Sequence, residues 1–455
     1  VDVGSTIIPE GGVTVRKWLV AVLVSIMVVF ALGQKVTIIA NAIKGGKNTQ
    51  VVDWFEKYIP EIEKDLGITV ELIQTGIKDE DFKARIVLDI KGGGGADILW
   101  IDGFWVPEFV EAGYLRPIDD ILAEIPAWKY YYDSMKAMGS YKGKTYLVPA
   151  STDVRMIYYN KELFKKAGIP VPWQPKSWED IIKTARIIKE KLPGVIPIQL
   201  NAGTEMGEAT TMQGFFMVLL GAGGNLYDWQ LGKWIVKSSA LRDTLNFYKQ
   251  IYVDEKLGDA ALQVSPGARE KTFELFRQEK IAMYVEGTWF YTSVLNPNNP
   301  SWGFPDRDER IGWAAMPGRG KPQDPEFVSI SGGTGFAVNV NCKNPKLVAE
   351  VLKRLLYVEP QLSYFQMKPF VSPRSDLADS CWTVNKDKFI AETSRALVKY
   401  TTFRPAFPVY PEISFQAQLL TERVITGQMS VDKAIEEFAK EVTRIVGKEN
   451  VIEKP

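Results

Sequence analysis

Four carboxylates stand at polar breaks in a chain of otherwise apolar-patterned segments: Asp102, Asp153, Glu205 and Glu286. Two carboxyl groups about 5 to 10 Å apart are what glycoside hydrolysis needs, one as acid and one as base or nucleophile. Left ionised beside Arg155 and Arg404, the same groups can instead exchange hydrogen bonds with a hydroxyl-rich guest and do no chemistry. Each also has a plain alternative as half of a structural salt bridge, and spacing along the chain does not fix the distances. Histidine is absent, which removes Ser-His-Asp catalysis, imidazole proton shuttles and the usual zinc sites. Ser331-Gly332-Gly333-Thr334-Gly335 offers backbone amides to an anion. A P-loop is nonetheless missing: Gly143-Lys144-Thr145 has Met138 where the first glycine must stand, and a strand follows it.

Of 13 Trp, 18 Tyr and 22 Phe, most must pack in cores. Trp105 and Trp289 depart from that expectation, because each ends a strand in a polar loop. Trp229, beside the Gly232-Lys233 turn, stays open between packing and ligand contact.

These residues are carried by alternating elements. Val36 to Ala40 reads as a strand; Thr49 to Leu66 places Val51, Val52, Phe55, Ile59, Ile62 and Leu66 at helical spacing before Gly67. Ile68 to Ile73 is a strand, Phe82, Ile86 and Ile90 mark a helix, and Ala96 to Ile101 is a strand again. This β-α-β-α-β order implies a mainly parallel sheet flanked by helices. Ligands of such sheets sit beyond the strands' carboxyl ends, which draws in the loops holding Lys44 and Asp102 to Trp105. Lys142-Gly143-Lys144 turns a hairpin that Pro149 stops. Met156 to Tyr159 is a doubly buried strand, and Ser151, Thr152, Asp153 and Arg155 lie before it like a crossing between domains. Ser177 caps a helix, Ile196 to Leu200 is a strand ending in a polar loop at Asn201 to Met206, and Ile311 to Pro317 and Phe327 to Val340 read as further strands of the first domain.

Between 143 and 180 the chain carries Gly143-Lys144-x-Tyr146, Pro149, Asp153, Tyr159-Asn160-Lys161, Leu163-Phe164, Ala167-Gly168, Pro172 and Trp178-Glu179-Asp180. Ala96-Asp-Ile-Leu-Trp100, Lys280-Ile-Ala-Met283 followed by Gly287-Thr-Trp289, and the run from Gly427 to Ile435 add to this pattern. It resembles the substrate-binding proteins of ABC sugar importers, of which maltose-binding protein is the best known, with Glu279 where that family more often has Gly. The resemblance implies an α/β, two-lobed periplasmic-binding-protein fold (type II), each lobe a mainly parallel sheet flanked by helices and joined by a hinge. Lobe I is expected over 34–149 and 288–356, lobe II over 150–287 and 357–455. It further implies no catalysis and no cofactor or metal, a mono- or oligosaccharide ligand, ABC permease subunits as membrane partners, and a monomer. The ligand set it implies is Lys44, Asp102, Phe104, Trp105, Asp153, Arg155, Glu205, Trp229, Trp289, Gly333, Thr334 and Arg404, with Trp105 and Trp289 stacking on sugar and the charged groups on its hydroxyls. A secreted carbohydrate-active enzyme, or the same fold binding a phosphorylated polyol or a peptide, is the competing reading.

Lys+Arg and Asp+Glu are each 55 among 455 residues, so nucleic acid and anionic lipid are poor partners. Arg16-Lys17, the apolar run Trp18 to Leu32 and the small residues Ala31 and Gly33 have the order of an export signal cleaved before Gln34, with residues 1–33 as upstream residues plus signal peptide and Val15 as the expected initiator. That run is shorter than the ~20 apolar residues of a spanning helix. The protein is thus expected outside the cytoplasmic membrane. Cys342 and Cys381 either pair, for about 3 to 4 kcal/mol, or remain two buried thiols.

Overall fold

The computed structural model describes residues 1, 34–299, 303–368, 371–377, 380 and 388–455. The export signal and Cys381 fall outside the described residues. Cys342 is half-buried with no disulfide partner among them, and burial pushes its thiol up.

In chain order the strands that position the site are β1 (Lys35–Ala40), β2 (Thr69–Gln74), β3 (Ile98–Asp102), β4 (Leu147–Pro149), β5 (Arg155–Asn160), β6 (Ile196–Gln199), β7 (Ile281–Gly287), β8 (Ile311–Ala314), β9 (Phe327–Ser331), β10 (Thr334–Val338) and β11 (Thr401–Phe403). The helices used below are α1 (Thr49–Leu66), α2 (Asp79–Lys91), α3 (Trp178–Lys191), α4 (Ala268–Arg277), α5 (Val358–Met367) and α6 (Tyr410–Ile425).

The first sheet has the order β2-β1-β3-β10-β4, parallel through its first three strands and antiparallel at β10. Its period-2 alternation feeds two cores. Val36, Ile38, Ala40 and Trp100 face α1 and α5, whereas Ile39, Leu99 and Ile101 face Phe82, Ile86 and Ile90 of α2. The helical stripe of α1 is as expected, and Gly67 ends it in the left-handed conformation at φ 64°, its N–H donating to Glu63 O. Trp54, fully buried, donates from Nε1 to Pro360 O at 2.8 Å and so fastens α5 to α1.

The second sheet runs β8-β5-β7-β6. Both faces of β5 are covered, Ile157 and Tyr159 on one side, Met156 and Tyr158 on the other, which accounts for its unbroken apolar run. Ser177 caps α3 by accepting from Asp180 N at 3.3 Å, while Asp180 reaches back to Lys176 N at 2.9 Å.

Two placements differ from expectation. β8, read as a first-lobe strand, pairs antiparallel with β5 in the second sheet, and Phe290, Tyr291 and Val294 pack in a core of that same lobe. The chain therefore continues in lobe II past Gly287 and enters the first sheet only at β10. Conversely α5, expected in lobe II, packs on α1 in lobe I. Hydropathy cannot separate these cases, because a strand buried on both faces reads alike in either sheet. The lobes meet around the crossings and again at Gly207, where a Cβ would stand 2.6 Å from Glu80 Oε1 of α2. At φ +57° that position suits glycine on backbone grounds too.

Among the described residues no helix is long and apolar enough to cross a membrane.

Candidate functional site

β3 runs into a short 3₁₀ turn, Gly103–Trp105, that Asp102 caps by accepting from Phe104 N at 3.4 Å. Asp102 thus lies beyond the carboxyl end of a parallel strand, with Thr334 as its antiparallel neighbour on β10. Phe104 leans edge-on against Tyr410 of α6, ring centres 5.9 Å apart. Arg404 follows β11 and lays its guanidinium 3.7 Å above the Phe104 ring. From there Nη1 donates to Glu208 Oε1 at 2.6 Å and Nη2 to Asp102 Oδ1 at 3.3 Å. Glu208 also accepts from the Tyr410 hydroxyl and from Ser414 Oγ, both at 2.5 Å. One cation therefore joins a lobe I carboxylate to a lobe II carboxylate. Arg404 is 7% exposed, whereas about a third of the Asp102 side chain (32%) reaches solvent. Burial pushes Asp102 up to about 6, against the opposing pull of Arg404.

Asp153 lies in the crossing between β4 and β5, and Arg155 opens β5. Asp153 Oδ1 accepts from Arg155 Nη1 at 2.5 Å and from Gly332 N at 2.9 Å, and its carbonyl accepts from Ser331 Oγ. Arg155 also donates to Ile330 O and to Gln213 Oε1. A Cβ at Gly332 would come within 3.4 Å of both Arg155 Nη2 and Arg404 Nη2, so the β9–β10 turn passes between two guanidinium groups.

Trp289 follows β7 and packs against the lobe I core. Its ring carries Arg155 at 4.9 Å and Arg269 of α4 at 6.0 Å. Glu286, fully buried, accepts from Arg269 Nη2 at 3.3 Å and from Gly287 N at 3.0 Å.

The structure thus brings together Asp102, Phe104, Asp153, Arg155, Trp289, Thr334 and Arg404, with Gly333 donating no side chain but accepting through its carbonyl from Gly103 N. Other expected residues lie elsewhere. Trp105 is a core residue, 6% exposed, with Phe82 at 6.2 Å and Phe109 at 5.8 Å, because the 3₁₀ turn aims it back under the sheet. Glu205 is exposed; Glu208, three residues on, is the carboxylate that reaches the cluster. Lys44 is held by Asp53 at 2.6 Å and Glu56 at 2.5 Å on the outer turns of α1. Trp229 projects from a hairpin onto Tyr227 and Phe407, 61% exposed. Sequence reasoning missed Glu208, Tyr410, Ser414, Arg269 and Lys368. Lys368 is buried, donates to Asn48 Oδ1 at 2.7 Å, and is pushed down to about 7 by that burial. The sequence offers little signal for them: Glu208, for one, precedes Ala209 to Phe216, a run that mixes Thr, Gln and Gly with apolar residues.

A binding protein of Brucella abortus (strain 2308) is 24% identical over 366 residues, 80% of this chain and 83% of that protein. An ABC transporter solute-binding protein from Thermotoga lettingae, bound with α-D-tagatose, superposes with TM-score 0.77 at 24% identity, covering 91% of this chain and all (100%) of the other. The GacH receptor of Streptomyces glaucescens, solved unliganded and with acarbose, gives TM-score 0.77 at 21% identity over 92% of this chain and 99% of that one. These likenesses establish the two-lobed type II periplasmic-binding-protein fold. The family model for bacterial extracellular solute-binding proteins matches residues 46–357, well over half of the chain. The chain belongs to the bacterial extracellular solute-binding protein family.

Proposed function

We propose that the chain captures a mono- or oligosaccharide outside the cytoplasmic membrane, closes its lobes on it, and delivers it as a monomer to the permease subunits of an ABC importer, without cleaving any bond. The observation that carries this reading is Arg404, which links Asp102 of lobe I to Glu208 of lobe II beside the Phe104 and Tyr410 rings. The Asp102 carboxylate and the Phe104 ring, both partly exposed, suit a hydroxylated ring. The balance of charge favours a neutral guest over a phosphorylated polyol. The sugars held by the two structural neighbours point the same way.

Moving a hinge from 99:1 open to 1:99 needs about 5.5 kcal/mol of differential binding. A net hydrogen bond supplies about 1 and a stacked ring about 0.5 to 1.5 kcal/mol, so contacts must come from both lobes. Titration calorimetry and thermal shift against D-glucose, D-tagatose, maltose and maltotriose test the proposal. Stoichiometric binding with a raised Tm is expected. Shortened sugars released on incubation would establish a carbohydrate-active enzyme instead, and binding confined to phosphorylated or peptide solutes would reject the sugar.

A further inference from the structure

The two lobes touch through side chains of their own. On lobe I the contact is a short tongue, the 3₁₀ turn Gly103–Trp105 that follows β3. It is braced from behind. Gly103 N donates to Gly333 O at 2.9 Å, Gly103 O accepts from Val106 N, and Trp105 is locked into the lobe I core. Phe104 rests its flank on Trp105, ring centres 6.0 Å apart, and turns its ring outward onto the core of lobe II.

The seat that receives this ring is assembled within lobe II. Glu208 gathers Arg404 Nη1 at 2.6 Å and the Tyr410 hydroxyl and Ser414 Oγ at 2.5 Å. Ser414 Oγ lies in turn 2.7 Å from Thr211 Oγ1 and accepts from Gln418 Nε2 at 3.2 Å. Phe104 meets both members of the seat, with the Arg404 guanidinium 3.7 Å above its face and Tyr410 edge-on at 5.9 Å. Arg404 Nη2 reaches Asp102 Oδ1 at 3.3 Å as a second, longer tie between the lobes. A third contact lands on the same segment of lobe II: Glu80 of α2 approaches Gly207, the residue before Glu208, so closely that a Cβ there would stand 2.6 Å from its Oε1.

Both halves are shaped before they meet, so joining them orders few side chains and covers an aromatic face with a cation. We propose that Phe104 is a latch: seated against Arg404 and Tyr410, it holds the lobes closed by protein contacts alone, and a guest enters when the latch lets go. The latch uses no atom of the guest and so stands apart from the carbohydrate reading. Association is then gated by an opening step, while the closed population already present reduces the shift that a guest must drive.

The test is small-angle X-ray scattering of wild type, Phe104→Ala and Phe104→Leu, each stripped of bound solute by dialysis against denaturant and refolded, with far-UV circular dichroism and Tm measured alongside. The expected result is a wild-type curve that fits the closed lobes and a larger radius of gyration in Phe104→Ala. Phe104→Leu, which keeps bulk but loses the ring face, should fall between them. A ring needed only for packing would lower Tm and leave the radius of gyration where it was. Phe104→Leu keeps the test valid if Phe104→Ala fails to fold. A wild type already as extended as the variants overturns the latch, and so do folded variants as compact as wild type. Because the scattering uses no sugar, either of those results leaves the carbohydrate reading standing, and sugars that fail to bind in calorimetry leave the latch standing.

Discussion

Two arginine–carboxylate groups lie within a few residues of one another at the β9–β10 turn, and they are built differently. The Asp153–Arg155 group is enclosed by the protein on nearly all sides. The carboxylate takes a guanidinium and a backbone amide, and the guanidinium takes a carboxylate, a carbonyl and a side-chain amide, with side chains 12% and 5% exposed. In the Asp102–Arg404–Glu208 group the bond to Asp102 is long at 3.3 Å, and Asp102 keeps an open flank and a raised pKa. The first group holds the crossing together; the second leaves the Asp102 carboxylate partly open to solvent, which is where the proposed guest would meet it. Both pair an arginine with an aspartate, the second adding Glu208, and what separates them is how far the aspartate opens to solvent, 12% for the Asp153 side chain against 32% for Asp102.

Substitutions break or sharpen this contrast. Arg155→Met leaves the buried Asp153 carboxylate without its cation and should cost about 3 to 5 kcal/mol of stability, read as a fall in the urea midpoint; a loss under about 1 kcal/mol would erase the distinction. Arg404→Met should act mainly on binding, removing charge-assisted hydrogen bonds worth about 1.5 to 3 kcal/mol, or roughly tenfold to a hundredfold in Kd by calorimetry. If Arg404→Met unfolds the protein as readily as Arg155→Met, the two groups are alike after all.

A third substitution uses pH. An ionised Asp102 accepts charge-assisted hydrogen bonds from hydroxyls, stronger than those a neutral carboxyl accepts, so wild-type affinity should fall as pH drops through about 6, while Asp102→Asn should flatten the profile. For folding the sign is reversed. With a folded value above its ordinary 3.8, Asp102 favours the native state most where it is protonated, and that contribution is lost as pH rises from about 4 to 6. Asp102→Asn should therefore be relatively more stable above pH 6 than below 4. The smallest effect is expected at Trp229→Ala, within about 0.5 kcal/mol on stability because the ring is a solvated hairpin side chain; a large loss of sugar affinity there would move the binding surface outward to the Tyr227–Phe407 cluster.

The parts of the fold legible in the sequence were those with one-sided periodicity or a terminal signal. The α1 stripe closed by Gly67, the Ser177 cap and the β-α-β-α-β order of lobe I are of this kind. β8 and α5 were assigned to the wrong lobe because tertiary pairing, not local pattern, decides where an all-buried strand or an amphipathic helix docks. At the site, Asp102, Phe104, Arg155 and Trp289 stood out as polar or aromatic groups at strand ends, and Arg404 only as a cation able to bond hydroxyls. Trp105 shares that position with Phe104, yet successive residues of a tight 3₁₀ turn point to different sides, one into the cleft and one into the core. Glu208 was hidden because a carboxylate inside a helical stretch gives no sign, before folding, that Tyr410, Ser414 and Arg404 will converge on it from 200 residues away.

The tight meeting of Glu80 with Gly207 has a practical use. Dyes attached at position 80 and at the exposed Glu205 nearby would quench or transfer energy according to how far apart the two halves stand, turning the molecule into an optical reporter whose signal tracks solute concentration in real time.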